Sequence, residues 1–562
     1  MSKKLCAITI LIATAAILAP CTASQNRTKP IPISINEARY KADLKEISSD
    51  HYEGRGPGSV GEKRFVPWLE AQFKAIGLSP GNGDSYLQAV PMTEITNEIV
   101  QPLSFKHKGV VTTLKPFEDF VLSSRDLAAQ VKLADSELVF MGYGVDQASE
   151  NWNDYKDVDV KGKTVVVLIN DPGFHVGDSS LFNGKAMTYA GRWGYKFEEA
   201  ARKGAIGCLI VHDDLGAAYG WDVVKNGSAR PEFELPVKAG EQAPLAVQGW
   251  LSAGAANALF SNAGLDFIAL RTAANKRGFK AVPLNTTASA VIRHKIRTTT
   301  SQNVMGLIKG SEHPDEVVVY TAHWDHLGRN FGLPGDQIFN GAIDNGTGVA
   351  ALLEMSRNIV LQKPKRSVLM LAVTLEESGL LGSRYYAENP VFPMNKTLAN
   401  INMDALKLIG PSKDVEVVGF ANSELEDILK PFARAQNRVL VPEPTPENGF
   451  YFRSDHFNFA KMGVPALYIK TGQTHVEKGF AYGAQWAKDY NDLRYHKPSD
   501  EYDDKADYRG IVQDLELLVQ VGLAVANGKT WPNWYPKSEF RAIRDASMAA
   551  KSISVKTGAA KQ

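Results

Sequence analysis

Strand, helix, strand alternation after about residue 280 constrains the fold of this chain more than any other feature. "NVMGLIKG", "DEVVVYTAH", "RSVLMLAVTLEE" and "VPALYIKTG" are short apolar runs that read as buried strands. Between them, "GTGVAALLEMSRNIVLQ" and "LEDILKPFARAQN" carry apolar residues at helical spacing. Such alternation predicts an α/β layer architecture, with a mixed, mostly parallel sheet flanked by helices. "YRGIVQDLELLVQVGLAVAN" is expected to close the fold as a C-terminal helix. No later segment reads as apolar enough to cross a bilayer, so no transmembrane span is expected in the mature chain.

Upstream, "INEARYKADLKEISSD" and "VGEKRFVPWLEAQFKAIGLSPGNG" read as helices, the second stopped by glycine, with the glycine-rich "HYEGRGPGSVG" connecting them. From about residue 130 the texture changes. "SELVFMGYGV", "KGKTVVVLIND" and "AIGCLIVHDD" are β-branched runs with one short helix, "YKFEEAARKG", suggesting a β-rich module of ordinary domain size. The expected layout is a leader over 1–23, a first segment of the main domain over 38–128, an insert over 129–282 and the second segment of the main domain over 283–535.

The 562 residues are 44% hydrophobic and 22% charged, enough to bury more than one core. Net charge is +1 and neither sign forms long blocks, which argues against nucleic acid as a partner. Lys3 and Lys4 precede an apolar stretch from Leu5 to Ala19, the layout of a secretory signal. A membrane anchor needs about 20 apolar residues, more than are present. Cleavage after Ala23 gives a soluble product, whereas "LAPC" resembles a lipoprotein box with a lipid anchor at Cys21. Either way a periplasmic or secreted protein is expected. Of the three cysteines, only Cys208 lies well inside the chain, so a disulfide framework is excluded.

In open α/β sheets the chemistry collects beyond the carboxyl ends of strands. There the sequence offers His323 and Asp325 in "AHWDH", Asp344 in "NGAIDNGTGVA", Glu376 and Glu377 in "VTLEESG", Asp404 in "INMDAL", and His496 in "RYHKPSDEYD". Singly, each has a plain structural explanation: Asp344, for example, could cap the helix that follows it. Together, two imidazoles and three carboxylates, one of them bridging, suit two nearby zinc ions. Such ions polarise a carbonyl and acidify water, and one of two adjacent glutamates can ligate while the other moves the proton.

This ordered series resembles the di-zinc aminopeptidases of peptidase family M twenty-eight, which include aminopeptidase Y and secreted bacterial leucyl aminopeptidases. The resemblance runs from about residue 40 to 530 and implies the zinc exopeptidase fold. It implies that His323 and Asp404 hold one zinc, that Glu377 and His496 hold the other, and that Asp344 bridges. Glu376 matches the general base and Asp325 the carboxylate that orients His323. A cis peptide is implied between Asp344 and Asn345. Tyr495 matches a tyrosine that hydrogen-bonds the developing oxyanion, and Arg453 in "RSDH" an arginine that contacts substrate. The 129–282 stretch resembles a protease-associated domain. The expected activity is removal of N-terminal residues from peptide substrates. The alternatives are a carboxypeptidase or dipeptidase of the same fold, or a receptor-like peptide-binding relative without catalysis. His326 and His456 are left outside the ligand set.

Overall fold

A computed structural model describes residues 33–549, apart from 183, 229 and 238–242. The expected leader and Cys21 lie outside the described residues.

Four parallel strands form the centre of the 283–535 segment, in the order Arg366–Val373, His313–His323, Thr397–Asn402 and Ala466–Thr471. Asp414–Val417 continues the sheet antiparallel to Ala466–Thr471, and Val439–Pro442 forms the edge. All eight residues of Arg366–Val373 and all six of Thr397–Asn402 are buried, which suits the apolar run Val368–Val373. Helix Thr347–Ile359 is buried almost all round. The alternation in the sequence therefore translates directly into layers.

Helix Arg509–Asn527 is, by length and composition, apolar enough to cross a membrane, contrary to the reading that no later segment qualifies. Here its apolar residues face the domain core, where Leu515, Leu518 and Val521 are buried. The hydroxyl of Tyr320 donates to the carbonyl of Leu518 at 2.8 Å, and Asp514 pairs with buried Arg438 at 2.7 Å. A long apolar core helix and a membrane span share the same composition, and packing separates them.

The 27-residue strand Val282–Ile308 joins these central strands to the rest of the chain. It runs antiparallel to Arg366–Val373 at one end and to Gln130–Phe140 at the other, and along Leu87–His107 over most of its length. The 129–282 segment carries more helix than its β-branched runs suggested. Gln130–Phe140, Thr164–Leu168, Gly207–Val211 and Val247–Leu251 are parallel neighbours, accompanied by helices Trp193–Arg202, Ala253–Asn262 and Phe267–Ala274. Leu103, Phe105, Phe120 and Leu122, which precede residue 129, share its apolar core. Cys208 is a buried free thiol in the middle of this sheet, and burial raises its pKa.

Candidate metal centre

The expected site residues converge at the carboxyl ends of the central strands. His323 is the last residue of its strand, Asp404 follows Asn402 by two positions, and Glu376 follows Val373 by three. Asp344 and His496 are exceptions: Asp344 lies in the turn Ala342–Gly346, and His496 follows helix Gly479–Leu493 and adopts a positive φ of 55°.

Nε2 of His323 lies 3.2 Å from Oδ1 of Asp344, 3.4 Å from Oδ1 of Asp404 and 3.9 Å from Oε2 of Glu376. On the far side of Asp344, Oδ2 lies 3.3 Å from Nε2 of His496, which is 3.1 Å from Oε2 of Glu377. Asp344 thus spans two imidazoles with its two oxygens. It does not cap the next helix, since Oδ1 of Asn345 accepts the N–H of Gly348 at 2.9 Å. The Asp344–Asn345 peptide is cis. Asn345 also donates to the carbonyl of Met403, beside Asp404, at 2.9 Å.

Asp325 is placed differently from expectation. The nearer partner of Nδ1 of His323 is the backbone carbonyl of Asp325 at 3.0 Å, while the carboxylate oxygen stands off at 3.8 Å. The carboxylate instead accepts the backbone N–H groups of Glu376 and Glu377, at 3.2 and 3.4 Å. It orients the glutamate loop more directly than the histidine. Trp324, fully buried, donates from Nε1 to the carbonyl of Gln302 at 2.9 Å, fixing the turn between His323 and Asp325.

The surroundings separate the two adjacent glutamates. Burial raises the pKa of Glu376 well above the usual carboxylate range, opposed by the charge of His323 and reinforced by the carboxylates of Asp404 and Glu377. Glu377 is lowered, because His496 and His326 outweigh its burial. Asp344 is likewise held low against burial by His323 and His496. Burial raises Asp325 to about 8. Such divergence between neighbouring carboxyls is the usual basis for giving one the proton and the other the charge.

Sequence reasoning missed three contributors. His326 is fully buried, with Nδ1 2.7 Å from Oε1 of Glu377. Asp500 accepts the N–H groups of Ile343 and Asp344 at 3.1 and 3.0 Å. Arg55, from the glycine-rich connection, is 1% exposed. It donates to the carbonyls of Ile47, Trp324, Asn340 and Gly341 at 2.6 to 2.9 Å. Gly341 and Asp344 belong to one turn, so Arg55 and Asp500 hold it from its carbonyl and amide sides. For His326 a signal existed, the second histidine of "HWDH". For Arg55 none did.

Tyr495 stacks on His496 with ring centroids 3.9 Å apart, and its hydroxyl lies 3.3 Å from a guanidinium nitrogen of Arg453. His456 packs its ring against Tyr451 and Tyr468.

The donor set fits divalent cations. Asp325, Asp344, Glu376, Glu377 and Asp404 crowd a buried space in which imidazoles are the groups in contact. Burying that many carboxylates without cations is strongly unfavourable. His323, Glu376 and Asp404 form one group of potential ligands, and His326, Asp344 and Glu377 another, each with its donor atoms within 4.8 Å of one another.

Residues 303–519 match the sequence profile of peptidase family M28. Over this segment the chain is similar to that family. The same segment holds His323, Asp325, His326, Asp344, Glu376, Glu377, Asp404, Tyr495 and His496, but not Arg55. Aminopeptidase NAALADL1 of Mus musculus is 32% identical over 129 residues, 22% of this chain and 16% of that protein. Aminopeptidase Y of Saccharomyces cerevisiae is 28% identical over 181 residues, 31% of this chain and 30% of that protein. The matches thus span less than a third of either curated relative. Among solved structures, the aminopeptidase from Aneurinibacillus sp. strain AM-1 superposes with a TM-score of 0.50 at 18% identity. That match covers 88% of this chain and 94% of the other. At that identity the likeness establishes the shared fold, a mixed α/β sheet flanked by helices.

Proposed function

We propose that the protein is an exported di-zinc aminopeptidase that removes N-terminal residues from peptides. The observation that carries this reading is Asp344, whose Oδ1 faces His323 at 3.2 Å and whose Oδ2 faces His496 at 3.3 Å. A carboxylate shared in this way suits two adjacent ions. His323 and Asp404 would hold one ion, Glu377 and His496 the other, with Asp344 between them. Bound there, zinc supplies Lewis acidity toward the scissile carbonyl and toward water.

The remaining steps belong to side chains. Glu376, whose environment favours holding a proton, takes one from the attacking water and delivers it to the leaving amine. Tyr495 donates its hydroxyl proton in a hydrogen bond to the oxyanion that forms. Asp325 keeps the Glu376–Glu377 loop in register through the backbone N–H groups. The 129–282 segment, read as a protease-associated domain, borders the site.

A second reading, a carboxypeptidase or dipeptidase, has a specific observation in its favour. Arg453 lies beside Tyr495, and Arg192 of the insert lies near enough that burial and the Arg453 charge lower it to about 10. Two neighbouring cations suit a substrate carboxylate. Mass-spectrometric analysis of products from peptides with free and blocked termini separates the readings. An aminopeptidase spares N-acetylated peptides and accepts C-terminal amides. Cleavage indifferent to the N-terminal block, and abolished by amidation, would establish the second reading instead.

A further inference from the structure

We propose that His326 is a positioning residue for Glu377 and decides which of its two oxygens a metal ion meets. The inference rests on the di-metal reading above. Glu377 stands between two imidazoles that approach different oxygens: Nδ1 of His326 lies 2.7 Å from Oε1, and Nε2 of His496 lies 3.1 Å from Oε2. The two rings are not equivalent. The His496 side chain is 33% exposed and also reaches Oδ2 of Asp344 at 3.3 Å, so it opens on the cleft. The His326 side chain is 0% exposed.

Its seat is built for it. Gly341 has a φ of +53°, and a Cβ there would fall 2.5 Å from the His326 ring, so the ring occupies space that only glycine leaves. Its backbone N–H points to the carbonyl of Arg55 at 3.4 Å, which ties His326 to the same guanidinium-held frame as Gly341. A ring so confined cannot swing toward the cleft. Its Nδ1 stands against Oε1 of Glu377 at 2.7 Å and leaves Oε2 facing His496. The carboxylate then offers a cation one defined oxygen in place of two rotating ones. Partners of this kind around metal ligands are typically worth about 10- to 100-fold in metal affinity.

Cobalt(II) titration of the metal-stripped full chain, followed by visible absorbance, tests this on wild type, His326→Leu and His326→Asn. Wild type is expected to take up two equivalents. The leucine variant should keep the first and bind the second about 10- to 100-fold more weakly. The asparagine variant, whose amide can donate from near the Nδ1 position, should recover most of that loss. Unchanged binding of both equivalents by the leucine variant would overturn the proposal. So would an asparagine variant as weak as leucine, since that outcome makes the imidazole itself a ligand. Near-ultraviolet circular dichroism checks that each variant is folded. If leucine is not tolerated, asparagine alone decides, by holding the second equivalent within about tenfold of wild type. A wild-type chain that binds no cobalt would remove the di-metal reading, and this inference with it.

Discussion

The carboxylate of Asp325 accepts the backbone N–H of Glu376 at 3.2 Å, while the Asp325 carbonyl faces Nδ1 of His323 at 3.0 Å. One residue therefore serves both strands, with its backbone on the histidine and its side chain on the glutamate loop. Asp325→Ala keeps the carbonyl and removes the carboxylate. It should retain metal at the His323 position and lower kcat about 100-fold, with Asp325→Asn falling between it and wild type. Loss of the first metal equivalent in the alanine variant would return the carboxylate to the histidine-orienting role that the family resemblance implied.

Arg55 holds four carbonyls from two loops and the first helix. Arg55→Met would leave buried carbonyls without donors, at about 1–3 kcal/mol each. A loss of at least about 3 kcal/mol is expected in denaturant unfolding. Arg55→Lys should recover only part of it, because an ammonium cannot reproduce the planar fork. A loss under about 1 kcal/mol for the methionine variant would show that water or neighbouring groups replace the guanidinium.

Glu443 provides a pH signature away from the metal centre. It is 8% exposed, accepts the N–H of Gly419 at 3.2 Å on Oε1, and burial raises its pKa to about 7. In the unfolded chain a glutamate titrates near 4.3, so both states are protonated below about pH 4. As the pH rises toward 7 the unfolded state releases its proton first, and the stability that the protonated carboxyl contributed is lost. Above 7 both forms are charged and the loss is complete, on the order of 4 kcal/mol at most. Glu443→Gln should therefore melt like wild type near pH 4 and above it at pH 8. Equal melting temperatures at pH 8 would contradict a buried carboxylate there.

Part of the site was legible because three of its candidate ligands sit within a few residues of an apolar run that reads as a strand. His323, Glu376 and Asp404 are visible for that reason. Asp344 was visible as a cap candidate, and the side chain that accepts an N–H of the helix's first turn, Asn345, stands beside it. The frame behind the ligands was not legible. Arg55 follows Gly54, itself adopts a positive φ of 51°, and finds its acceptors up to 286 residues away. Nothing local marks a glycine-flanked arginine as buried. The helical content of the 129–282 segment was masked in the same way, because β-branched strands carry a stronger local signal than the helices between them. Arg509–Asn527 shows the converse, where composition alone cannot tell a core helix from a membrane span.

The central claim is that Glu376 moves the proton at a centre held by its neighbours. Its most direct test is the turnover of zinc-loaded Glu376→Gln on a peptide with a free N-terminus, with metal content measured on the same sample. General base catalysis contributes about 10²- to 10⁴-fold. The account predicts a loss within or beyond that range with zinc content equal to wild type. Turnover within a few-fold of wild type at full zinc occupancy would contradict it.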